Sequence, residues 1–193
     1  MSTCTTPTIT IRRAQAADAG LIGYLRFASL LCLEMSQRSL QAVRSLMASL
    51  PDVDTRLVSA GSYYVAESAG ELVAGAGWSV LPLSFRGDAL VDERGDPAPL
   101  RLGHSSALVR GFFVDPDLCR CRAGAELLAR VEAELFEAGH LGAELIVPLA
   151  AEIAYRRLGY RPVRRLGLDV GGGETLPLLQ LRKQLSLRLA AAA

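Results

Sequence analysis

The stretch Ala107 to Ala138, ALVRGFFVDPDLCRCRAGAELLARVEAELFEA, constrains the fold more than any other part of the chain. Its first residues, Ala107 to Val114, are rich in Val, Phe and Leu. They stop at Asp115-Pro116, where proline cannot donate to a sheet ladder, so they read as a strand. Further on, Gly124, Leu127, Leu128, Val131, Leu135 and Ala138 recur at helical spacing, and Gly139 supplies a C-terminal stop. Arg120, Glu126, Arg130, Glu132 and Glu137 fall mostly off that face. The loop between, Asp117 to Arg122, is polar and carries two arginines. A strand handing over to a helix through a basic loop makes an anion site, because the first helical amides are free to donate and the dipole adds positive potential. The same junction also serves as a plain connection in α/β domains, and the stretch alone leaves both readings open.

The remaining elements follow from local pattern. Thr8 to Arg12 alternates as a first strand, and Asp18 is placed to cap a helix whose buried stripe is Leu21, Ile22, Leu25, Ala28 and Cys32. A second helical segment opens at Ser36 or Ser39 and ends at Pro51, and a helical turn covers Asp54 to Ser59. Ser62–Glu67 and Leu72–Val80 form a hairpin about Ser68-Ala69-Gly70-Glu71, with Gly75 and Gly77 marking a bulge or close backbone approach. Leu81 to Ser106, rich in Pro and Gly among charges, is expected to be a surface excursion and the least ordered part of the chain. Strand Ala143–Val147, helix Ala150–Leu158, and strands Tyr160–Leu168 and Thr175–Leu185 follow, before a tail from residue 186 to 193. The sum is one α/β domain over residues 1–193, core about 8–185: a mixed sheet with helices on its faces.

Composition narrows the partners. Half of the 193 residues are hydrophobic, enough for a sizeable core, and the net charge of +1 gives no general attraction to nucleic acid or membrane. The opening MSTCTTPTITIRR lacks a signal-peptide core, and Leu21–Leu33 is too short to span a bilayer, so a cytoplasmic location is expected. The four cysteines then read as reduced thiols. Cys119-x-Cys121 has no second pair to complete a zinc site, so no metal is expected.

Three segments carry a resemblance: YYVAESAGELVAGAGW at 63–78, VRGFFVDPD at 109–117 and AYRRLGYRPV at 154–163. In this order, with the elements between them, they make the chain resemble the GNAT superfamily of acyl-CoA N-acyltransferases over nearly its whole length. The resemblance implies a mostly antiparallel sheet, splayed between the family's fourth and fifth strands, with helices on both faces. It implies that acetyl-CoA lies in the opening beside the strand ending at Val114, its pantetheine amides pairing with backbone at Phe112, Phe113 and Val114. Cys119, Arg120, Arg122, Ala123, Gly124 and Ala125 match the positions that hold the pyrophosphate at the helix start. Tyr155 matches the tyrosine that gives a proton to the departing CoA thiolate.

Only Gly124 fits the family's loop pattern; the loop departs from it at Cys119, where Gln or Arg is usual, and at Arg122, where a glycine is usual. A side chain there is expected to crowd the backbone approach to phosphate. The function implied is transfer of acetyl from acetyl-CoA to a primary amine of a small molecule or peptide, by direct attack in a ternary complex. A domain that binds acyl-CoA weakly and acts through protein partners is the alternative that the changed loop leaves open. No base follows from the residues: Ser105–Val114 holds no carboxylate, and Glu34 and Glu67 are the nearest candidates, each read first as a surface charge. The apolar strand Leu176–Leu185 is taken as a sheet edge that a second subunit covers, giving a homodimer.

Overall fold

The computed structural model describes residues 8–34, 55–80, 90–118, 122–171 and 174–186. The expected second helical segment at 36–50 lies outside them. Strands β1 (Ile9–Arg13), β2 (Tyr63–Ser68), β3 (Glu71–Ser79), β4 (Leu90–Val91), β5 (Ser106–Val114), β6 (Gly142–Pro148), β7 (Arg161–Gly171) and β8 (Glu174–Gln184) form one sheet. Their order is β1-β2-β3-β5-β6-β8-β7-β4. Every pairing is antiparallel except β5 with β6. The helices are α1 (Ala19–Glu34), α2 (Thr55–Ser59), α3 (Ala123–Glu137) and α4 (Glu152–Arg157). Helix α3 makes the crossover that a parallel β5–β6 pair requires. The β2–β3 hairpin turns on Ala69 and Gly70, both at positive φ (53° and 85°), as a tight two-residue turn demands.

Alternation along the strands sorts side chains to two faces. On one, Leu127, Leu128, Val131 and Leu135 of α3 pack with Tyr64, Ala66, Ala74, Ala76, Val109, Leu145 and Leu181. On the other, Ile22 and Leu25 of α1 pack with Leu57, Tyr63, Val65, Leu72 and Phe113. Helices thus cover both faces, as expected.

Several expectations change. On α1, Leu21 and Cys32 are exposed rather than part of the buried stripe, which is narrower and centres on Ile22 and Leu25. Asp18 does not cap α1 directly. It ends a 3-10 turn (Ala16–Asp18), and its carboxylate accepts the Gln15 N–H at 2.7 Å and two N–H groups of Arg12 at 2.7 and 3.0 Å. These bonds hold the Asp18 carboxyl below its ordinary range, the Arg12 guanidinium being the main cause. At the end of α3, Ala138 is exposed, whereas Glu132 is buried among leucines.

The excursion at 81–106 is also more ordered than its composition suggests. Residues 90–91 form β4 on the edge of β7, and Leu90 and Ala98 join Leu166, Leu168, Leu176 and Leu178 in a third apolar cluster. Its end is fastened by Glu144, which has 0% exposure on β6. That carboxylate accepts the Gly103 N–H at 2.7 Å, Gln180 Nε2 at 2.5 Å and Arg182 Nε at 2.9 Å. Finally, β8 is no edge strand. It pairs with β6 on one side and β7 on the other, because the chain returns from β7 into the gap beside β6. The edges belong to β1 and β4, so the premise for a dimer across Leu176–Leu185 is withdrawn.

Candidate active site

Strands β5 and β6 pair only over Ser106–Leu108 and Gly142–Glu144. Beyond that point β5 runs on to Val114 and β6 to Pro148 without pairing, so the sheet parts between them. The other edge of β5 stays bonded to β3 as far as the Ala74–Val114 pair. One line of backbone N–H and C=O groups on β5 therefore faces the opening, able to pair with an extended amide ligand.

The course of β5 is set by a bulge. Across from Gly75 and Gly77 of β3 stand Phe113 and Arg110, so β5 holds an extra residue, and Gly111 takes φ +60°. Glycine adopts that conformation without the penalty a Cβ brings. The Tyr63 hydroxyl donates to the Gly111 carbonyl at 2.8 Å. Its ring rests against Gly77, where an added Cβ would come within 2.5 Å of it, and a Cβ on Gly75 would come within 2.4 Å of the Phe113 ring. The close approach expected of Gly75 and Gly77 is thus what makes room for two aromatic rings beside the bulge. Tyr63 was not among the expected site residues; nothing local in the sequence signals that its hydroxyl would seek a carbonyl 48 residues on.

Phe112 and Val114 are half-buried on the α3 face and Phe113 is buried on the α1 face. The start of α3 lies against them. Ala123 and Gly124 are buried and Ala125 is exposed. A Cβ on Gly124 would stand 2.6 Å from Val114 Cγ2, so this glycine lets the helix start press onto β5. The helix has no side-chain cap, and among the described residues Glu126 is the first whose N–H bonds back, to the Arg122 carbonyl at 3.0 Å. Cys119 and Arg120 lie outside the described residues.

Arg122 does not crowd this helix start. Its backbone is right-handed (φ −74°), a conformation open to any residue, and its side chain is 81% exposed with Nε 3.3 Å from Glu126 Oε1. The i, i+4 carboxylate draws it outward along the helix.

Helix α4, which follows β6, carries Tyr155. Its ring meets Phe112 edge-on at 5.8 Å and Tyr160 at 6.1 Å. Its hydroxyl has no hydrogen-bond partner among the described residues, and burial pushes the phenol above its ordinary value. Phe112, Val114, Gly124 and Tyr155 are therefore brought together. Glu67 is not: it accepts from Arg12 Nε at 2.8 Å and Nη2 at 2.6 Å, an ion pair on the outer strands that ties up the carboxylate. The side chain of Glu34 lies outside the described residues. Glu132, read from sequence as off the buried face, lies behind Tyr160. Its spacing from Leu128 and Leu135 (four back, three on) marked that stripe, and only its charge argued otherwise.

Among the described residues no group of three or more His, Cys, Asp or Glu side chains is placed to hold a metal. Nor is any helix among them long and apolar enough to cross a membrane.

No protein-family model matches the chain, and no curated protein sequence matches it. Solved structures do. The GCN5-related N-acetyltransferase of Rhodopseudomonas palustris superposes with a TM-score of 0.66 at 18% identity, over 96% of this chain and 99% of that one. The PaiA N-acetyltransferase of Thermoplasma acidophilum, solved with coenzyme A, gives 0.64 at 13% identity, over 92% and 99%. The yncA protein of Salmonella typhimurium, solved with its cofactor acetyl-CoA, gives 0.60 at 19% identity, over 93% and 95%. The fold is that of the GNAT N-acetyltransferases.

Proposed function

We propose that this chain, built on the GNAT fold, is an acetyl-CoA-dependent N-acetyltransferase that acts on a primary amine of a small molecule or peptide. The observation that carries the reading is the parting of β5 from β6, which leaves a strand edge unpaired, with Tyr155 of the helix after β6 packed against Phe112 of β5. Two structurally similar proteins were solved with coenzyme A or acetyl-CoA. In this chain the β5 edge at Phe112–Val114 would pair with the pantetheine amides, as an added strand does. The uncapped amides of Ala123, Gly124 and Ala125 would take the pyrophosphate, helped by the helix dipole. The exposed free thiol of Cys32 suits a reducing compartment such as the cytoplasm.

The chemistry follows from these positions. The amine nitrogen attacks the thioester carbonyl carbon, the C–S bond breaks, the nitrogen releases a proton to water and the thiolate takes one up. Tyr155 would be the group that meets the departing sulfur. Because burial holds its phenol above a thiol's usual value of about 8.5, it first donates a hydrogen bond to the developing thiolate, and protonation completes as CoA leaves. Turnover is expected to rise with pH as the acceptor ammonium deprotonates. No fall from ionisation of Tyr155 is expected below pH about 10, the ordinary tyrosine value.

Two measurements test this. Saturating acetyl-CoA should raise the melting temperature by about 5–10 °C, the size expected of a ligand at 100-fold its Kd on a chain of this length. No shift would return the chain to the non-catalytic reading. Tyr155→Phe should lower kcat about 100-fold or more, within the range of a positioned proton donor, and leave acetyl-CoA affinity unchanged within about twofold. Unchanged turnover would make Tyr155 a core aromatic and no more.

A further inference from the structure

We infer that Tyr160 and Glu132 are positioning residues for Tyr155, fixing its ring against Phe112 of β5 by tying it, through Tyr160, to the middle of α3. The inference rests on the acid role of Tyr155 proposed above.

A carboxylate costs free energy to bury unless it is paired and hydrogen-bonded. Glu132 is 2% exposed and sits in a stripe that leucine could fill. Both of its oxygens are engaged. Oε1 accepts the Tyr160 hydroxyl at 2.9 Å, and Oε2 accepts Lys183 Nζ at 2.6 Å. That ammonium also stands 5.6 Å over the Tyr160 ring. Tyr160, with 0% exposure, is therefore held at its hydroxyl by α3 and over its face by β8.

The anchored ring in turn meets Tyr155 at an interplanar angle of 86°, and Phe112 meets it from the β5 side at 65°. The Tyr160 N–H donates to the Tyr155 carbonyl at 3.1 Å, so backbone and ring are held from the same residue. The Tyr155 hydroxyl itself has no partner among the described residues. Its place is set by the rings around it, and a donor positioned that way is only as well placed as its supports are rigid. The one support tied down by hydrogen bonds is Tyr160. Through Glu132 it also links α4, which carries Tyr155, to the helix whose start is proposed to hold the pyrophosphate.

The test uses the whole chain and compares single and double variants. Tyr160→Phe keeps the ring and removes the tie to Glu132. It should lower kcat about 10-fold and leave KM for acetyl-CoA within about twofold. In a Tyr155→Phe background the same change should cost less than about twofold, since the two act through one group. Glu132→Gln combined with Lys183→Met removes the ion pair but keeps an oxygen for Tyr160, and should hold kcat within about threefold. If Tyr160→Phe fails to fold, this pair is compared with Glu132→Ala/Lys183→Met, which removes the oxygen as well and should show the 10-fold loss. A second readout needs no turnover: in protein labelled with 13C at the tyrosine ζ carbon, the Tyr155 signal should broaden or shift on Tyr160→Phe. Equal losses of kcat in both backgrounds, or an unmoved Tyr155 signal, would overturn the inference. Full turnover by Tyr155→Phe would instead overturn the acid role, and the labelled signal would still decide whether Tyr160 holds the ring.

Discussion

Gly75 shows how much can depend on a missing methyl group. The rings of Phe113 and Tyr63, each 2% exposed, close over it, and an added Cβ would lie 2.4 Å from Phe113 Cε1 and 2.9 Å from the Tyr63 hydroxyl. Neither ring can swing into solvent, so Gly75→Ala should destabilise the fold by about 1–3 kcal/mol, the usual cost of overpacking a full core. A urea midpoint that falls at unchanged slope would check this, and an unchanged midpoint would mean the rings yield freely. Displacing Tyr63 also loosens its bond to Gly111, so the bulge beside the opening should suffer with the core. At this scale the sequence was legible where a residue type has few uses. Alternating glycines in an apolar strand announce close approach, and Tyr155 stood in a matched segment. It was illegible where a side chain's role depends on a distant partner. Glu67 joins Arg12 from 55 residues away, and the tie from Glu132 to Tyr160 spans 28.

Among elements, the strand–loop–helix unit of β5 and α3 behaves as its pattern required, because periods of two and of 3.6 are local properties. The direction of the Arg122 side chain is not local. Glycine at this position in related loops suggested crowding, whereas here the guanidinium lies outward against Glu126 and leaves the helix start clear. Arg122→Gly should therefore leave the acetyl-CoA Kd within about threefold, a change smaller than the 1.4 kcal/mol that makes a factor of ten. Calorimetric titration decides it. Binding weakened by about 1–3 kcal/mol would show that the arginine turns back onto a phosphate when the ligand arrives. The excursion between β3 and β5 misled for a related reason. Its Pro and Gly content describes a surface path correctly, yet Leu90 and Ala98 still reach an apolar cluster that only the folded C-terminal strands supply.

For the molecule as a whole, Glu144 joins what is distant in the chain. Its buried carboxylate holds the backbone at Gly103, the amide of Gln180 and the guanidinium of Arg182, and so fastens the long excursion to the centre of the sheet. Glu144→Ala would take the acceptor from the Gly103 amide and one of two from Gln180 Nε2, which keeps the Arg101 carbonyl, while the 39% exposed Arg182 side chain can turn to water. A loss of about 1–3 kcal/mol is expected, the cost of leaving a buried donor unpaired. Thermal or urea unfolding measures it, and a loss under about 1 kcal/mol would show that water replaces the carboxylate. Strand order was the least legible feature, since alternation says which face a residue takes but not which strand lies beside it. The position of β8 between β6 and β7 carries a consequence in time as well as in space. During synthesis β6 and β7 leave the ribosome first, each with an edge waiting for a neighbour that has not been made. Half of the sheet can close only when its last strand arrives, so the growing chain holds apolar edges open late. That is the stage at which a nascent β-protein is most exposed to mispairing and most in need of protection.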